Sequence, residues 1–353
     1  MTRAQQSGTL RRISDKRRQT TQKLNSFLFA SFIAFGVAAL AHPASAQLSG
    51  AASSSKTGTR LITLGTRAGP VPTVLRAQSS NILIVNGALY LVDAGTGVTH
   101  QLTRAGVTIR DIDNIFITHG HDDHSVGLAS LLAAQIASGR TNPVNIYGPP
   151  PTEALVRAAV QYLSVNFNIR VSDGVPDLRI AEKLIGHDLG TGMVFQDKNV
   201  KVTAVENTHF HFQPGAPDYG IAKSYSYRFE TPDRVVVFTG DTGPSEAVTE
   251  LSKGADILLS EVTSVEEAKE QRIKNGIWDR MSPAAQTNYI RHMSEEHLTP
   301  EEVGKMAARA GVKTVVLTHL PSATDPNVWS GRASQEVFID LWALRSCINV
   351  SGL

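Results

Sequence analysis

Thr118-His119-Gly120-His121-Asp122-Asp123-His124 follows directly on the apolar run Asn114 to Ile117. Three imidazoles and two carboxylates in six residues have no packing rationale, because a core rejects such groups unless they are paired. In an extended loop the side chains at i and i+2 point the same way. His119 and His121 can therefore grip one metal ion while Asp123 and His124 face a neighbouring position. The spacing is H-x-H-x-D-H, and it points to metal chemistry.

Working outward, further candidate ligands stand just beyond later apolar runs. His209 follows Val200 to Glu206, Asp241 follows Val235 to Phe238, and His319 follows Thr314 to Leu317. His211 rivals His209, since Thr208-His209-Phe210-His211-Phe212 puts both imidazoles on one side of an extended segment. Imidazole-rich ligation without cysteine suits zinc, with iron or manganese as alternatives where carboxylates are present.

Short apolar runs alternate with helical patterns over the rest of the chain. Leu61 to Leu64, Asn81 to Val85, Leu89 to Val92 and Asn114 to Thr118 read as strands, and Leu128 to Ile136 as a buried helix. A second half adds Val200 to Glu206, a hairpin of Ser224 to Phe229 and Arg234 to Phe238 turned at Pro232-Asp233, then Ile257 to Leu259 and Thr314 to Leu317. Helices are expected over 153–163, 246–251, 283–293, 300–309 and 335–344. Two strand-rich halves flanked by helices fit one layered α/β domain over 61–353.

The N-terminus reads as a leader. Arg3, Arg11, Arg12, Lys16, Arg17, Arg18 and Lys23 precede an apolar run from Phe27 to Ala41, and Ala44-Ser45-Ala46 follows. This is the order of a signal peptide cleaved after Ala46, which implies a periplasmic or secreted protein. The run is shorter than the roughly 20 residues a membrane span needs, and no span is expected in the mature chain. Residues 47–60, rich in Ser, Gly and Ala, are expected to form a flexible lead-in. The leader holds seven of the 34 basic and one of the 32 acidic residues, leaving 27 against 31. A mildly acidic mature chain offers no basic stripe for a phosphate backbone, so no nucleic-acid partner is expected. Cys347, the single cysteine, has no intrachain partner.

The H-x-H-x-D-H string, followed in order by H, G-D and H, resembles the metallo-β-lactamase superfamily over most of the chain after the leader. The resemblance implies a four-layer αβ/βα sandwich and two divalent metal ions, expected to be Zn2+. His119, His121 and His209 would hold the first, Asp123, His124 and His319 the second, and Asp241 would bridge them. It favours His209 over His211, gives Asp123 a second part as a base, and leaves Asp93 either a turn residue or the support of a ligand histidine.

Within the superfamily the chain is similar to the ribonuclease Z and arylsulfatase-like group. The motifs are Leu64-Gly65-Thr66, Asp93-Ala94-Gly95-Thr96-Gly97, Phe116-Ile117-Thr118-His119, Ser260-Glu261-Val262-Thr263 and His297-Leu298-Thr299. The likeness implies that Glu261 and His297 protonate a leaving group, and that the protein is a homodimer. Two departures stand out. Tyr225-Ser226-Tyr227-Arg228 runs through a tight hairpin into Gly240-Asp241, leaving no room for the tRNA-binding arm of ribonuclease Z, and the group's P-x-K-x-R-N loop survives only as Pro72 and Arg76. The segment 264–296 reads as an insertion, either a lid with Trp278 and Met281 toward a pocket or a plain helical pair. The expected activity is hydrolysis of a small ester-type molecule, an aryl sulfate or phosphodiester, by a metal-bridged hydroxide. The alternatives are a lactonase or β-lactam-type hydrolase and a non-hydrolytic metal-binding or redox protein.

Overall fold

A computed structural model describes residues 57–177 and 179–321. The leader over 1–46, the helix expected over 335–344 and Cys347 lie outside the described residues. Twelve strands run in chain order as β1 Thr59–Gly65, β2 Ser80–Val85, β3 Ala88–Val92, β4 Asn114–Phe116, β5 Val144–Gly148, β6 Leu184–Asp188, β7 Gly192–Gln196, β8 Lys201–Glu206, β9 Tyr225–Glu230, β10 Val235–Phe238, β11 Ile257–Glu261 and β12 Thr314–Thr318. The helices are α1 Val98–Arg104, α2 Asp122–Ser125, α3 Leu128–Ala137, α4 Thr152–Ser172, α5 Ile180–Lys183, α6 Glu246–Leu251, α7 Val265–Lys274, α8 Pro283–Glu295 and α9 Pro300–Ala310.

Two six-stranded sheets result, one ordered β1 to β6 and the other β12 to β7. Their side chains alternate in the period of two that a strand dictates. Leu83, Tyr90, Val92 and Phe116 of the first sheet meet Val202, Tyr227, Phe229 and Phe238 of the second in a shared core. On the opposite face, Ile82, Leu91 and Ile115 pack against Val98, Leu131 and Leu163 of α1, α3 and α4. Val237, Leu258 and Val315 pack outward against Val248 of α6 and Val303 and Met306 of α9. Helix, sheet, sheet and helix are thus the four layers, as the resemblance implied. Phe116 sits at the centre, its ring 5.1 Å from both Tyr147 and Phe229.

Most expected elements are present with shifted ends, and the differences have local causes. β1 begins at Thr59, inside the segment expected to be flexible, because it pairs with β2 from Thr59↔Val85 onward. α4 continues to Ser172 rather than Leu163, its inner face carried on by Phe167. β5, β6 and β7 go beyond the runs expected above. The segment 264–296 is a helical pair, α7 and α8, joined through a turn at Trp278–Arg280, and Trp278 packs within the pair, edge-on to Tyr289 at 6.3 Å. Among the described residues no helix is long and apolar enough to cross a membrane.

What positions the site is strand direction. β3 and β4 are parallel, as are β10, β11 and β12. Their carboxyl ends therefore lie at one edge of the sandwich, where ligand sites of such sheets form.

Candidate metal centre and active site

The polar residues of the H-x-H-x-D-H loop are set by three backbone devices at that edge. Thr118 ends the run from β4, its N–H and Oγ1 donating to Asp93 at 2.8 and 3.0 Å. Asp122, Asp123, His124 and Ser125 then form the one-turn helix α2, whose first turn is acidic, as a helix N-terminus favours. Gly95 lies against this turn so closely that a Cβ there would come within 2.1 Å of the Asp123 carbonyl oxygen, so only glycine fits. Across the edge, Gly240 takes φ +59 and leads into Asp241, and His319 itself adopts φ 53. Such left-handed backbone at a non-glycine residue persists where surrounding structure holds it. Leu320 N donates to Thr66 O at 2.7 Å, and the Arg67 guanidinium donates to the carbonyls of Leu320 and Pro321, fixing the segment that carries His319.

The expected ligands come together in two groups, all buried except the half-buried His121. His119, His121 and His209 form one, and Asp123, His124, Asp241 and His319 the other, the ligand atoms within each lying within 4.8 Å of one another. His119 Nε2 and His209 Nε2 stand 3.0 and 3.1 Å from His121 Nδ1. Asp241 lies between the groups, with Oδ1 3.2 Å from His124 Nε2 and Oδ2 3.1 Å from His319 Nε2 and 3.9 Å from both His119 and His209. His211 is placed elsewhere, its side chain 38% exposed and 4.0 Å from Glu295 and Glu296.

The other ring nitrogens show what the converging ones carry. His209 Nδ1 donates to Glu296 O at 2.9 Å, His124 Nδ1 to Asp93 at 2.8 Å, and His119 Nδ1 meets Thr118 Oγ1 at 3.1 Å. His319 Nδ1 faces Glu261 at 3.6 Å. A histidine whose one nitrogen donates in this way presents a lone pair from the other, the arrangement found around metal ions. Lone pairs so close to one another repel unless a cation sits among them. His124 Nε2 and Asp241 Oδ1 are fully buried yet make no hydrogen bond, and a buried polar atom left so is costly unless something else binds it. This donor set fits divalent metal.

Electrostatics agree with that fit. Burial holds His119 and His209 well below the usual imidazole range, which keeps them neutral. Burial acts the same way on His124 and His319, but Asp241 first, with Asp93 or Asp123, pushes both above it. The Asp123 carboxyl is raised by burial and lowered further by His124 and His319, and ends well below the ordinary carboxylate range. Asp123 Oδ2 also accepts from Gly69 N at 2.6 Å and lies 3.1 Å from His319 Nε2. The cluster is one in which negative charge persists and positive charge is drawn in.

Glu261 and His297 also meet at this edge. His297 Nδ1 is 2.9 Å from Glu261 Oε2, and Glu261 Oε1 accepts from Thr242 N at 2.8 Å. Burial lowers the His297 imidazole, and the Glu261 carboxylate raises it above its ordinary value overall. Glu261 serves two rings, since it also faces His319. His292, on α8, lies with Nε2 3.4 Å from His297 Nε2 and Nδ1 2.7 Å from Glu296 Oε2. The i, i+4 spacing of His292 on α8 and Glu296 just beyond its end was the available signal. Arg67 and Gly69 carried none.

Comparison with known proteins agrees with this geometry. A family described as Beta-lactamase superfamily domain matches residues 89–320. Ribonuclease Z of Brevibacillus brevis is 31% identical over 285 residues, covering 72% of this chain and 83% of the relative, and that of Archaeoglobus fulgidus is 29% identical over 284 residues, covering 73% and 85%. In structure, the short form of human tRNase Z superposes with a TM-score of 0.55 at 21% identity, over 75% of this chain and 93% of the other. The two sequence relatives are named ribonucleases, which overturns two expectations from sequence: a small ester-type substrate, and no nucleic-acid partner. The acidic balance behind the second was a sum over the chain after the leader, and a sum says nothing of charge around one site. The chain belongs to the metallo-β-lactamase superfamily of metal-dependent hydrolases, in its ribonuclease Z branch.

Proposed function

We propose that this protein hydrolyses a phosphodiester bond in RNA with two zinc ions, one held by His119, His121 and His209, the other by Asp123, His124 and His319, with Asp241 shared. The observation that supports this reading best is the carboxylate of Asp241 lying between two groups of imidazole nitrogens, beside the Glu261–His297 pair. A dinuclear divalent centre, when bound, supplies a nucleophile at neutral pH and neutralises charge on the attacked phosphoryl group.

The chain's own residues do the rest. Asp123, ionised and held by Gly69 N–H, is placed to accept a proton from the attacking water. His297, raised by Glu261, carries a proton at Nδ1 against that carboxylate and can give the one on Nε2 to the departing oxygen. Asp93 orients His124 through its Nδ1, and the Glu261 carboxylate faces His319 Nδ1 at 3.6 Å. The test is single-turnover cleavage of a hairpin RNA with a single-stranded 3′ extension. Wild type should cleave it and lose activity on chelation, and His297→Ala should cleave about 10²- to 10⁴-fold more slowly with its metal retained. RNA left intact by the zinc-loaded wild type contradicts the reading.

A further inference from the structure

Phe210 and Phe212 flank His211 in the segment after β8. The Phe210 ring lies against the first ligand group, its centroid 5.1 Å from His209, 5.2 Å from His121 and 5.6 Å from His119. Phe212 stacks on Phe210 with centroids 4.7 Å and planes 25° apart, and 37% of it is exposed. Neither ring belongs to the three apolar cores of the sandwich. Phe212 thus exposes apolar surface beside a site of imidazoles and carboxylates while packing in none of these cores, as surfaces that bind a partner do.

We infer that Phe212, backed by Phe210, is a stacking platform for the nucleobase next to the scissile phosphate. This rests on the RNA reading above and adds to it where the substrate is held. A phosphate lodged at the ligand groups has its own nucleoside within reach of a ring one stacking layer out. Phe210 covers one face of Phe212, and a nucleobase is a flat π-system suited to the remaining open surface, where stacking on an aromatic side chain tolerates any base. The platform also answers the short β9–β10 hairpin, which closes with Thr231 N donating to Arg234 O at 2.9 Å and extends no arm to grip RNA at a distance. RNA is instead held close to the bond that is cut.

The test compares wild type, Phe212→Ala and Phe212→Tyr on an RNA with one cleavage site and on the same RNA carrying an abasic ribose on either side of that site. Phe212→Ala should raise KM about 5- to 100-fold on the intact RNA, shift kcat far less and retain its metal, while Phe212→Tyr stays near wild type. For wild type, the abasic substitution on one side should raise KM by a similar factor. Combined with Phe212→Ala, that substitution should add nothing further, because both remove the same contact. An unchanged KM for Phe212→Ala, or penalties that multiply, overturns the platform while cleavage by wild type leaves the RNA reading standing. Absence of RNA cleavage by wild type removes both.

Discussion

At the scale of single residues the candidate centre depends on groups outside the two ligand sets. Asp93 accepts from His124 Nδ1 and from Thr118 on the ligand loop at once. Removing such a partner costs a metal site about 10- to 100-fold in affinity or activity, so Asp93→Ala should weaken zinc binding by that factor in a competition titration with a chromogenic chelator. Gly95→Ala should do comparable harm through sterics, because its Cβ would push on the Asp123 carbonyl. The spacing of His119, His121, Asp123 and His124 was legible from sequence because all four lie within one turn of chain. The sharing of Glu261 between His297 and His319, and the approach of His292 to His297, were not, since each joins residues on separate elements whose facing only the packed helices decide.

At the scale of elements, strands were legible where a continuous apolar run marked them, as at β4 and β10. β6 was hidden because Leu184-Ile185-Gly186-His187-Asp188 mixes glycine and charge with its apolar residues. Gly186 lies close against α4 there, a Cβ meeting Val156 and Glu153 at 3.0 Å. α4 was cut short because Val165, Ile169 and Val171 look like a strand and are exposed, while beyond Leu163 only Phe167 is buried. Phe116 is buried fully among aromatic rings of both sheets, and Phe116→Ala should lower unfolding free energy by about 3–5 kcal/mol in a denaturant titration. The second sheet also carries a pH-dependent tie. Asp256 accepts from Lys313 Nζ and Val235 N, each at 2.7 Å, and these two hold its carboxyl below the ordinary range. A carboxyl depressed in the folded state stabilises above the unfolded pKa of about 4, and that stabilisation is lost as pH falls through the folded value. The Tm difference between wild type and Asp256→Asn should therefore be largest near pH 7 and shrink toward pH 3; a constant gap would remove this tie from the explanation.

At the scale of the whole molecule, the two sheets contribute the candidate metal ligands from both sides of one edge. His119, His121, Asp123 and His124 come from the first sheet's connection, and His209, Asp241 and His319 from the second. Metal binding should consequently act as a clasp between the sheets. A ligand that binds only the folded state stabilises by about 4 kcal/mol at 1,000 times its Kd, which at about 2–4 °C per kcal/mol corresponds to a Tm rise of roughly 8–16 °C on loading chelated protein with zinc.

The most direct measurement is metal content by mass spectrometry on wild type and Asp241→Asn, read beside RNA cleavage before and after chelation. A dinuclear RNA hydrolase built on this site gives about two zinc ions per wild-type chain, cleavage that chelation removes and zinc restores, and loss of both metal and cleavage in Asp241→Asn. Wild type that binds no zinc, or that carries its full metal and leaves RNA intact, contradicts it.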